Sequence, residues 1–97
     1  MNEAMLGMLK HLQNAPDAHV DASIKKKLNN ITGMDDKDTV ECVFDVLQQC
    51  VRYGLASDLM IISLESILKV WCNDCKYNYS EMLQESQDRC KKIEEGE

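Results

Sequence analysis

The sequence is poor in residues that interrupt or specialise a chain. Among its 97 residues it has one proline, Pro16, and four widely separated glycines, Gly7, Gly33, Gly54 and Gly96. That scarcity excludes collagen-like, linker-like and loop-dominated structures, and it leaves no glycine-rich loop to cradle a phosphate. Aromatic residues are only 5%, so the one basic cluster, Lys25–Lys27, has no interleaved rings on which bases could stack. Long apolar runs are missing too. Leu59–Cys72 is the longest, and Glu65 and Lys69 interrupt it, well short of the roughly 20 residues that cross a bilayer. No GxSxG nucleophile motif occurs.

What is present suits one globular domain. The hydrophobic share is 44% and the charged share 29%, and a chain of this size buries roughly two-thirds of its unfolded surface. Eleven basic against 17 acidic residues give a net charge of −6. An acidic surface repels phosphate, which disfavours nucleic acid and anionic membranes as partners. The charge is uneven: residues 1–34 carry four basic and three acidic groups, and residues 35–97 carry seven and 14. Five cysteines, Cys42, Cys50, Cys72, Cys75 and Cys90, are an odd number that cannot all pair. With no secretory pattern at the N-terminus, free thiols in a reducing cytosol are expected.

Apolar periodicity is helical throughout. Met5, Met8, Leu9 and Leu12 mark a first helix over residues 2–13, stopped by Pro16. A second, running from Asp17 or Asp21 to Asn30, buries Val20, Ile24, Leu28 and Ile31, turns Lys25–Lys27 to water and closes at Gly33. In the third, Asp38 and Glu41 have the form of a capping box. Val40, Val43, Phe44, Leu47, Cys50 and Val51 then face inward, with Glu41, Asp45, Gln48, Gln49 and Arg52 opposite and Gly54 as the C-terminal cap. Ser57 or Asp58 caps a fourth helix whose broad apolar face is Met60, Ile61, Leu64, Ile67, Leu68, Trp71 and Cys75. Leu59 and Ile62 extend that face so far around the cylinder that the helix belongs at a bundle centre or an interface. A break near Asn73–Ser80, with Asn78 and Glu81 as a second capping box, starts a fifth helix on Tyr79, Met82, Leu83, Ser86, Cys90 and Ile93, fraying from about residue 94. The expected fold is all-α: a single compact domain, 1–97, of four or five helices around a central antiparallel hairpin of the third and fourth.

Candidate chemistry is sparse. Cys72-Asn73-Asp74-Cys75 has metal or redox spacing, but a structural zinc site needs two further ligands and no second CxxC exists. His11 and His19 are the two histidines, and neither belongs to a nucleophile motif. The acids of Gly33–Asp38 follow their glycine instead of flanking it, unlike a calcium loop, and suit a helix N-terminus. A helix-turn-helix across Gly54 would present Leu59, Met60, Ile61 and Ile62 to DNA, with Asp58 and Glu65 repelling it.

No catalytic, cofactor or metal residue is therefore expected. The sequence favours a small cytosolic protein–protein interaction module, an adaptor, inhibitor or regulator without enzymatic activity. Its partner is another protein or a second copy, and the expected contacts are Met1, Met5, Met8, Leu59 and Ile62. Alternatives are a nucleic-acid-associated regulator or DNA mimic, and a metal or redox protein using Cys72 and Cys75.

Overall fold

A computed structural model describes residues 3–31 and 34–95. Five helices follow in order: α1 (Glu3–Gln13), α2 (Ala22–Asn30), α3 (Asp36–Tyr53), α4 (Asp58–Cys75) and α5 (Tyr79–Glu95). No strand occurs among the described residues; one isolated bridge joins Val20 to Ala56. The all-α bundle read from the sequence is thus the fold. Its Cα radius of gyration, 12.7 Å, matches the roughly 13 Å of a packed 100-residue domain.

Local chemistry fixes the helix ends. Asp21 caps α2 by accepting the amide of Ser23 at 2.9 Å. Ser57 caps α4 by accepting the amide of Met60. Asn78 accepts the amide of Glu81 at 3.0 Å at the start of α5, as its spacing predicts. Gly54 ends α3 in the left-handed region, φ 63°, where a side chain would crowd the backbone. The start of α3 lies three residues earlier than expected. Asp35, extended at ψ 169°, accepts the Asp38 amide at 2.8 Å, so Asp38 sits inside the first turn. The helix can begin there because Thr39, fully buried, donates its hydroxyl to the Asp35 carbonyl at 2.8 Å.

The α3–α4 hairpin is present, and α3 is the element that the others surround: it packs against α2, α4 and α5, while α1 rests on α2 and α4. Enclosure on several sides corrects the two-faced reading of α3. Gln48 is buried, Val46 joins the core, and Val51 is 56% exposed. Asp45, expected in water, is half-buried and accepts from Arg89 at 2.9 Å and from the Ser86 hydroxyl at 2.6 Å. The core itself runs from Met5, Leu9 and Leu12 through Ile24 and Leu28 to Val40, Phe44, Leu64, Leu68 and Trp71. Gly33, expected to close α2, lies outside the described residues, as does the chain beyond Glu95.

Candidate interaction surface

Helix α4 has 18 residues, about 27 Å of helix at 1.5 Å per residue. Its inner face, Met60, Leu64, Leu68, Trp71 and Cys72, is buried against α1, α3 and α5. The opposite face is open. Leu59 is 63% exposed, Ile62 60% and Val70 41%. At 100° per residue these three fall on one strip with Ser66 and Asn73, and no charged side chain interrupts it. Asp58, Glu65 and Lys69 line one edge of the strip. Lys69 holds its ammonium 5.7 Å from the centre of the Tyr79 ring, and Tyr79 in turn packs on Phe44 with ring centres 5.4 Å apart. The edge nearest α5 is thereby fixed.

The other edge borders a cleft of about 190 Å³ between α1 and the start of α4. His11, Leu12, Ala15, Pro16 and His19 form one wall, and Leu59, Met60 and Ser63 the other. Two backbone hydrogen bonds assemble it: Asp21 donates to the Leu55 carbonyl, and Ser57 to the His19 carbonyl, each at 2.8 Å. The His19 imidazole Nδ1 then lies 3.1 Å from the Ser57 hydroxyl. A cavity of about 150 Å³ holds a benzene ring, so this cleft is the size of one large side chain. Its meeting of both histidines with Leu59 had no signal in the sequence, because it depends on how two loops cross.

The expected contact residues separate. Leu59 and Ile62 share the open strip. Met5 is 1% exposed and belongs to the core, which corrects its assignment as a contact: α1 turns Met5, Leu9 and Leu12 inward together, and the methionine fills core volume. Met8 is half-buried against that core. Met1 lies outside the described residues. The basic cluster divides as well, with Lys25 pairing to Asp17 at 2.6 Å and Lys27 donating to Gln49 on α3.

Cys72 and Cys75 lie near the C-terminus of α4. Burial raises both thiols above their ordinary value, and Asp36 and Asp74 push Cys75 further the same way. A metal-binding or redox thiolate is favoured by the opposite shift. Among the described residues no three His, Cys, Asp or Glu side chains converge as a metal site, and no helix is long and apolar enough to cross a membrane. Compared with known protein families, with curated proteins and with solved structures, the chain matches none.

Proposed function

We propose that this protein is a small non-enzymatic interaction module of the cytosol, an adaptor, inhibitor or regulator whose contact surface is the outer strip of α4. The observation that carries the reading is the exposure of Leu59 and Ile62, 63% and 60%, on a strip free of charge in a chain with 29% charged residues. Neither side chain serves the core, so their apolar surface contributes to stability only when another surface covers it. Covering each is worth about 1–2 kcal/mol, in the range of contacts that dominate protein interfaces. Cysteines not joined in disulfides among the described residues fit a reducing compartment.

Substitution on the strip tests the reading. Ile62→Asp places a carboxylate where desolvation is required, and association with another chain should weaken at least tenfold while the circular dichroism spectrum stays helical. Association is read by light scattering of the purified protein and by capture from native lysate. If a folded Ile62→Asp variant associates as the wild type does, the strip is not the contact surface.

A further inference from the structure

We infer that the partner of the α4 strip is a second copy of the same chain, packed with its α4 antiparallel; this rests on the interaction reading above and names its occupant. The argument comes from the charges along one edge of α4. Asp58 and Glu65 stand seven residues apart, Glu65 and Lys69 four apart, and Lys69 and the terminal cap Lys76 seven apart. At 100° per residue Asp58, Glu65 and Lys69 fall within about 40° of one another, along a single edge, and Lys76, the left-handed cap, follows directly past the helix end. The order acid, acid, base, base with spacing 7–4–7 reads as its own complement when reversed. In a two-fold antiparallel pair the same edge of each helix meets the other. Asp58 then faces Lys76 of the second copy, and Glu65 faces Lys69, twice each. A parallel two-fold pair instead sets this edge against the opposite edge of the second helix, where Ser63, Ile67 and Asp74 offer no such complement. Asp58, Lys69 and Lys76 are exposed and Glu65 half-buried; Lys69, whose ammonium lies over the Tyr79 ring, turns from that ring to meet Glu65 of the second copy.

The apolar strip obeys the same symmetry. With the axis level with residue 67, where the charge pairs place it, Ile62 drops between Val70 and Asn73 of the second copy, and Leu59 lies beyond that Asn73. Ser66 stands one residue from the axis, so the two copies' Ser66 are offset by about 3 Å along the helices. A serine there lets the helices approach to the 8–10 Å typical of packed pairs. Its neighbour Ser63 donates its hydroxyl to the Leu59 carbonyl at 2.9 Å, so it makes no polar demand on an apolar contact. One helix pair covers less than the roughly 800 Å² per partner of a standard stable interface. A reversible, concentration-dependent dimer is therefore expected.

The experiment uses the full chain. Sedimentation equilibrium should give a mass rising from 11.1 kDa towards twice that value between micromolar and millimolar protein. Glu65→Lys sets two like-charge pairs across the axis and should raise the dissociation constant about tenfold; Glu65→Lys with Lys69→Glu should restore it. Ser66→Cys should form a disulfide-linked dimer under mild oxidation beyond the wild-type background, because residues beside a two-fold axis approach within bonding range. A single-chain mass throughout, indifference of the dimer to Glu65→Lys, or a Ser66→Cys variant that does not cross-link each overturns the inference. A monomer that captures another protein through Ile62 leaves the interaction reading standing, and a monomer that captures nothing removes both.

Discussion

The His19 imidazole and the Ser57 hydroxyl lie 3.1 Å apart, joining the α1–α2 connection to the first turn of α4. The same hydroxyl accepts the Met60 amide at 3.3 Å, so one side chain both caps the helix and braces the loop that carries a cleft wall. Ser57→Ala should lower stability by about 1 kcal/mol, the usual cost of a lost cap. Ser57→Asp retains an acceptor beside the helix dipole and should lower it less. Urea unfolding of the three proteins checks this, and equal midpoints for all three would mean that the cap contributes nothing.

Met5 and Ile62 give a sharp contrast between core and surface. Met5→Ala removes a side chain that is 1% exposed and should cost about 2–5 kcal/mol. Ile62→Asp alters one that is 60% exposed and should change monomer stability by no more than about 0.5 kcal/mol. Denaturation at low protein concentration measures both without a contribution from association. A reversal of that order would turn α1 or α4 the wrong way round.

Asp45 and Arg89 connect the middle of α3 to α5, and Ser86, fully buried, donates to the same carboxylate. With about a third of each charged side chain in water, solvent screens the pair, so its coupling should be below about 1 kcal/mol. Arg89→Met keeps most of the packed stem and removes the charge. A double-mutant cycle with Asp45→Asn isolates the pair from the packing, and the coupling should shrink further in high salt.

The elements were legible where end signals and periodicity agreed, as at Gly54 and Ser57. They were less legible where several residues could do the same work. Asp35, Asp36 and Asp38 are all competent caps, and choosing among them depends on Thr39 being buried by neighbouring helices. The break after α4 carries no glycine: Lys76 takes the left-handed conformation, φ 60°, and Tyr77 donates to the Cys72 carbonyl at 2.8 Å as in a glycine-capped end. Only the Asn78 cap hinted at the break. Val51 and Gln48 exchanged their expected places because α3 meets three helices, and a single periodic stripe cannot describe a helix enclosed from several directions. Of the surface, Leu59 and Ile62 were readable as apolar excess. The antiparallel charge order on their edge was also present in the sequence, but it gains meaning only once the helix bounds are known.

Cys50 supplies a pH test. It is fully buried on α3, and burial pushes its thiol from the ordinary 9.0 up to about 11, partly offset by Lys27. The folded protein therefore holds this proton more tightly than the unfolded chain. Below about pH 9 both states keep it, and the stabilisation is fully present. As pH rises towards 11 the unfolded chain loses the proton first, and stability declines at up to about 1.4 kcal/mol per pH unit from this group. Cys42, Cys72 and Cys75 are raised in the same direction by burial and add to the decline. Cys50→Ala should cost about 1 kcal/mol at neutral pH by leaving a small cavity, and its stability should then fall less steeply through the alkaline range. The difference between the wild-type and Cys50→Ala unfolding free energies, measured from neutral pH to about pH 10.5, should thus narrow as pH rises. A constant difference would mean that the folded thiol ionises as it does in water, and Cys50 would then lose its place as a group held neutral by the core.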